Sequence, residues 1–125
     1  MISLLTFLLA LLGMNTSPTF ANLGVDEFAA LIAQKGVVVL DVRTAEEFAE
    51  GHIAGAVNID VNAVDFEKKV ASLLLKKGTP LAVYCRSGRR SANACGILAK
   101  AGYKNISNLS TGIIGWTEAG KPTVK

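Results

Sequence analysis

A single cysteine followed by six small, hydroxylated or cationic residues dominates the chemistry this chain can do. The stretch is Tyr84-Cys85-Arg86-Ser87-Gly88-Arg89-Arg90-Ser91. An apolar run, Pro80 to Tyr84, leads into it, and residues 92–100 behind it have a helical pattern. The spacing therefore sets a thiol at the end of a strand, in a tight turn, at the mouth of a helix. Backbone N–H groups converge in such a turn, and a helix N-terminus adds partial positive charge. Arg86, Arg89 and Arg90 raise the local potential further. All of these influences favour thiolate, the reactive form of cysteine, over thiol. The expected site is an anion-binding pocket built around a nucleophilic sulfur, with Arg89 the arginine most exposed to solvent.

The elements around it must hold that turn. The chain has 125 residues, the size of one domain. Half of them are hydrophobic and 18% are charged, a composition that supports a core and excludes disorder. Taken in order, a helix is expected over 25–34, with Asp26 and Glu27 in its first turn. The β-branched run 36–42 reads as a strand buried on both faces and ending at Asp41. Thr44 and Glu47 have capping-box spacing and start a short helix that reaches about Glu50. A strand follows at 56–59, then a helix over 65–75 with Phe66, Val70, Leu73 and Leu74 on one face. Lys76-Lys77-Gly78 is expected to stop that helix. A last strand at 106–109 and a helix over 112–119, with Trp116 inward, close the chain. Strands and helices alternate through short links, which argues an α/β fold with a parallel sheet covered on both faces. Ligands in such sheets bind at the carboxyl ends of strands, where both Asp41 and Cys85 fall.

Composition also narrows the partners. The net charge is only +3, and outside the loop the only basic pairs are Lys68-Lys69 and Lys76-Lys77. No basic stripe of the kind that tracks nucleic acid is present, so no nucleic-acid partner is expected. Two cysteines and one histidine fall short of the roughly four ligands of a structural zinc site. No metal and no cofactor is therefore expected. A Cys85–Cys95 disulfide would have to join a strand end to the third turn of the following helix, beyond the reach of about 7 Å between α-carbons. Cys95 is instead assigned to the buried face of that helix, with Ala92, Leu98 and Ala99.

Residues 1–21 differ from the rest. They carry no charged side chain, and 2–12 form an apolar run about half the length of a membrane span. Gly13 and Pro18 break the run, and Thr19-Phe20-Ala21 offers a small-residue cleavage site. The segment reads as an export signal, although no lysine or arginine follows Met1; a retained membrane anchor is the alternative. Cleavage after Ala21 would leave a domain over 22–125 in an oxidising compartment, the bacterial periplasm, with no stable membrane insertion.

Three segments in order now carry a resemblance. Leu40-Asp41-Val42-Arg43 with Glu46, Glu47, Phe48, residues 51–56 and Asn58 is the first. The Tyr84–Ser91 loop is the second, and Leu109 with Gly112, Trp116, Gly120 and Pro122 is the third. Over roughly 24–125 the sequence resembles the single-domain rhodanese (thiosulfate sulfurtransferase-like) family. The resemblance implies a rhodanese-like five-stranded parallel sheet and a cysteine persulfide mechanism. In it, Cys85 takes sulfur from a small anionic donor such as thiosulfate. It then passes the sulfur to cyanide, a thiol or a thioredoxin-like acceptor. Loop residues 86–91 would bind the substrate, with Arg86 or Arg90 on the anionic donor and Asp41 and Arg43 in structural support. Related cysteine phosphatases have Cys-x5-Arg, whereas Arg90 here gives Cys-x4-Arg and the next place is Ser91. The shorter loop resembles the sulfur-transferring members. One departure stands at Thr111-Gly112, where the family commonly has two glycines; Thr111 needs a negative φ, so a slightly altered turn is expected. His52 is read as a packing residue of a Gly-His turn. A rhodanese-fold module that binds a partner or senses redox state without turnover is the alternative function.

Overall fold

The computed structural model describes residues 19–125. The leader assigned to 1–21 thus lies almost wholly outside the described residues. Five strands form one parallel sheet: β1 (Ala21–Leu23), β2 (Val38–Asp41), β3 (Val57–Asn58), β4 (Leu81–Tyr84) and β5 (Ile106–Leu109). Their order across the sheet is β1-β5-β4-β2-β3. Five helices connect or follow them: α1 (Val25–Ile32), α2 (Ala45–Glu50), α3 (Phe66–Ala71), α4 (Arg89–Lys100) and α5 (Gly112–Glu118).

The central strands are apolar on both sides because both sides are covered. Leu81 and Val83 face one core with Phe66 and Val70 of α3 and with Ala94, Cys95 and Leu98 of α4. Ala82 and Tyr84 face the other, with Phe28 of α1 and Trp116 of α5. In this second core Phe28 meets both Tyr84 and Trp116 edge to face, at 6.5 and 6.3 Å between ring centroids. The chain leaves β2 toward β3 and leaves β4 toward β5, in opposite directions across the sheet. A crevice opens between two strands whose connections diverge in this way. Asp41 and Cys85 flank it.

Two elements differ from expectation. β1 carries no apolar pattern of its own; it forms because Ala21, Asn22 and Leu23 pair with Ser107, Asn108 and Leu109. The cleavage point expected after Ala21 falls inside this strand, and Phe20 packs against the larger core. Helix α3 ends at Ala71, short of the expected 75. The Ser72 hydroxyl donates to the Lys69 carbonyl at 2.5 Å, and Leu74 takes a left-handed φ of 57°. That turn exposes Leu74 and sends Leu73 and Leu75 inward. Lys77 then caps a different helix: its Nζ donates to the Ala101 carbonyl at 3.0 Å beyond α4 and lies 4.0 Å over the Tyr103 ring. Among the described residues no helix is long and apolar enough to cross a membrane.

Candidate active site

The site is a loop between β4 and α4, clamped from three directions. Its floor is the Cys85 sulfur, 1% exposed. Gly88 N–H donates to Sγ at 3.1 Å and the Ser91 hydroxyl at 3.3 Å. Burial pushes the Cys85 thiol up, but the Ser91 hydroxyl and the amides of Ser91, Gly88 and Ser87 outweigh it and hold the thiol below its ordinary value. The lowering thus comes chiefly from donors aimed at sulfur, where the sequence pointed equally to the arginines.

Gly88 makes that aim possible. It begins α4 with φ of 96°, and a Cβ there would fall on the Ser110 carbonyl. From the opposite side, the turn after β5 holds the outer carbonyls of the loop: Ile113 N–H donates to Cys85 O at 2.9 Å and Ile114 N–H to Arg86 O at 3.1 Å. With these carbonyls tied outward, the loop amides are left to point at the sulfur. The approach is so close that a Cβ on Gly112, whose φ is 64°, would overlap the Arg86 carbonyl. Thr111 sits beside it with an ordinary φ of −101°. The expected oddity of Thr111-Gly112 therefore resolves simply. The turn takes its positive φ and its close approach at the glycine, which has no Cβ to clash, and the Thr111 side chain fills the space that a Cβ on Gly115 would need.

The three loop arginines part company. Arg90 forms a two-pronged pair with Glu47, its Nη1 and Nη2 2.8 and 2.9 Å from the carboxylate oxygens. Glu47 also completes the Thr44 capping box. Its hydrogen bonds from Arg90, then those at Thr44, hold its carboxyl at about 2 against the opposing effect of burial. The Glu47 contact likewise raises Arg90. Arg86 and Arg89 are exposed, and among the described residues neither makes an ion pair. Arg86 lies on the wall of a cavity of about 350 Å³ beside the loop, with Glu50, Ile113, Ile114 and Thr117 among its other wall residues.

Asp41 and Arg43 brace the crevice through each other. Asp41 is fully buried, and Arg43 Nε and Nη2 grip its two oxygens at 3.0 and 2.7 Å. Arg43 reaches on to the Gly51 carbonyl at 2.7 Å, tying β2 to the turn after α2. Burial works against the charge on Arg43, yet Asp41 raises its affinity for the proton. Asn58 donates to the carbonyls of both residues. His52 is a packing residue, stacked on Phe48 at 3.6 Å, with its Nδ1 2.9 Å from the Phe48 carbonyl. Cys95 lies buried on α4, as expected, and its thiol is pushed up to about 12, chiefly by burial.

Residues 24–119 match the profile of the rhodanese-like domain. The chain belongs to this family. It is 35% identical over 88 residues to a sulfurtransferase of Allochromatium vinosum, covering 70% of this chain and 78% of that one. Thiosulfate sulfurtransferase PspE of Escherichia coli K12 is 35% identical over 69 residues, 55% of this chain and 64% of its own. A rhodanese-related protein from Thermoplasma volcanium superposes with a TM-score of 0.71 at 30% identity, covering 84% of this chain and 98% of its own. The resemblance in three sequence segments is thereby confirmed, with one rhodanese-like domain and a five-stranded parallel sheet. Sequence reading missed the reach of Glu47 to Arg90, 43 residues away. The capping-box spacing was its only local signal. It also missed the clamp made by the amides of Ile113 and Ile114, for which a sequence carries no mark.

Proposed function

We propose that the protein is a thiosulfate sulfurtransferase-type enzyme in which Cys85 carries the sulfur. The observation that carries this reading is the set of donors converging on Cys85 Sγ. As thiolate, Sγ attacks the outer sulfur of thiosulfate. The sulfur–sulfur bond of the donor breaks, its electron pair leaves with sulfite, and Cys85 becomes a persulfide anion. An acceptor nucleophile, cyanide or a thiol, then attacks the outer sulfur and leaves with it, regenerating the Cys85 thiolate. Both half-reactions keep one negative charge on the loop sulfur, and the same amides and hydroxyl stabilise it before and after loading.

Arg86 is the donor-binding cation in this scheme, since it lines the cavity beside the loop, whereas Arg89 is not part of that wall and Arg90 is engaged by Glu47. Ser87, Gly88 and Ser91 form the sulfur cradle. Glu47, through Arg90, and the Asp41–Arg43 pair hold the crevice in shape. The names of the sulfurtransferase relatives support the class of reaction. The leader composition supports an exported protein of the bacterial periplasm, supplied with reducing equivalents or sulfur acceptors by a thioredoxin-like partner. N-terminal sequencing of secreted material tests that location: a chain retaining Met1 in the membrane fraction overturns it.

The test of the reaction is thiocyanate formation from thiosulfate and cyanide, with Cys85→Ala as control. Thiocyanate well above the control is expected; equal formation by both overturns the proposal. Loading of Cys85 without turnover to any acceptor would instead support the partner-binding or redox-sensing module.

A further inference from the structure

The edge strand β1 and the catalytic loop are joined by two asparagines. Asn108 of β5 is 2% exposed. Its Nδ2 donates to the Gly88 carbonyl at 3.3 Å and to Asn22 Oδ1 at 3.0 Å. Its own Oδ1 is buried with no hydrogen-bond partner. The Gly88 carbonyl can only accept, so the amide nitrogen must face it, and Asn22 must in turn present oxygen. The orientation of both side chains is therefore set by the loop.

Packing does not explain an asparagine at this position. A buried carbonyl oxygen without a donor costs free energy that a leucine of similar volume would not. What Asn108 gains for the molecule is a second hold on the Gly88 carbonyl, beside the helix bond from Ala92 N–H at 3.1 Å. Gly88 is the residue with the left-handed backbone in the loop, and its N–H is one of the donors at Cys85 Sγ, at 3.1 Å. Asn22 is set opposite Asn108 by strand register. The strand itself is fixed by Ser110, whose N–H and hydroxyl both donate to the Leu23 carbonyl at 3.0 Å. The line runs unbroken from the sheet edge to the reactive sulfur.

We propose that Asn108 is a positioning residue for sulfur transfer, holding Gly88 on the Cys85 sulfur, and that Asn22 on the edge strand orients Asn108. This rests on Cys85 as the sulfur carrier. The donor that stabilises the thiolate and the persulfide is thus set in part by a strand that touches neither. It also gives the start of the folded domain a catalytic consequence, because loss of β1 would free Asn108.

The test is alkylation of Cys85 by iodoacetamide across pH on the full chain, with site assignment by mass and thermal unfolding on the same samples. Asn108→Leu is expected to shift the alkylation midpoint upward by about half to one pH unit, the scale of one weakened hydrogen bond. Thiosulfate loading at neutral pH is expected to slow about three- to tenfold, with a thermal midpoint equal to or above wild type. Asn22→Leu should give a smaller shift in the same direction. The conservative Asn22→Asp, which keeps the acceptor, should restore the wild-type profile. A wild-type profile for Asn108→Leu, or a shift that only follows a fall in thermal midpoint, overturns the proposal. If Asn108→Leu does not fold, identical profiles for Asn22→Leu and Asn22→Asp overturn it instead. Alkylation needs no sulfur donor, so its profile stands apart from the carrier reading. Wild-type protein that shows the profile but never loads sulfur would refute the carrier and leave the positioning of the thiolate intact.

Discussion

Cys85 and Cys95 are ten residues apart, one before the turn and the other midway along the helix that follows it, and both are buried, at 1% and 0% exposed. Burial alone would make them alike. Yet Cys95 is pushed up to about 12, while Cys85 is held below the ordinary thiol value. The difference is donors. Cys95 packs among apolar neighbours of α3, α4 and β4 and has only desolvation and the Cys85 charge acting on it. Cys85 sits where a left-handed glycine, a serine hydroxyl and a helix start converge. The difference between the two thiols thus comes chiefly from directed hydrogen bonds rather than from exposure, with the Arg90 charge also acting on Cys85.

The comparison can be broken most directly by exchange of the two thiols. Cys85→Ala should abolish sulfur loading, while Cys95→Ala should leave it within about twofold at a cost of roughly 1–2 kcal/mol for the small cavity left in the core. Loading of Cys95 in the absence of Cys85, read by peptide mass, would contradict the contrast. Next in size, native alkylation at pH 8 should label Cys85 faster than Cys95 by about a thousandfold or more, given the opposite shifts and the closed packing around Cys95. Comparable labelling would mean that the helix opens readily.

Ser91→Ala sharpens the cause. Loss of that hydroxyl should raise the Cys85 thiol by up to about one pH unit and slow loading at neutral pH several-fold. Arg90→Met should do less to the thiol, because the guanidinium is committed to Glu47. If the arginine substitution has the larger effect on the alkylation midpoint, charge rather than directed donors governs the loop. The smallest effect concerns the brace. Glu47 has its carboxyl at about 2 in the folded protein against an ordinary 4.5. A depressed carboxylate stabilises the fold above its unfolded value and loses that contribution as pH falls through the folded one. Unfolding followed between about pH 5 and pH 2 should therefore show an acid-labile component that Glu47→Gln removes, with a cost of about 1 kcal/mol at neutral pH for this part-exposed pair. An unchanged acid profile would show that the pair contributes nothing measurable.

Much of the architecture was legible because its signals are local. The runs at Leu81–Tyr84 and Ile106–Leu109 matched their strands to the residue, and Thr44 with Glu47 formed the capping box their spacing implied. The alternation of strands and helices placed Asp41 and Cys85 at one end of the sheet. Less legible were features that depend on partners far along the chain. β1 has three residues and no pattern, and exists only through β5. The early end of α3 turns on Ser72 competing for a helix carbonyl, which outweighed the apolar spacing of Leu73 and Leu74. At the site, the placing of Cys85 at a strand end in a tight turn before a helix was plain. The division of labour among Arg86, Arg89 and Arg90 was not, because it is decided by Glu47 on another helix. Asn108 looked like an ordinary strand residue until its unpaired oxygen set it apart.

The central claim is that the cradle around Cys85 holds sulfur as a persulfide. Intact-protein mass after incubation with thiosulfate, with peptide mapping, tests it most directly. The account predicts a gain of one sulfur atom on Cys85, removed by cyanide or by a thiol, with Cys95 unmodified. No gain in mass, or a gain that persists in Cys85→Ala, would contradict it.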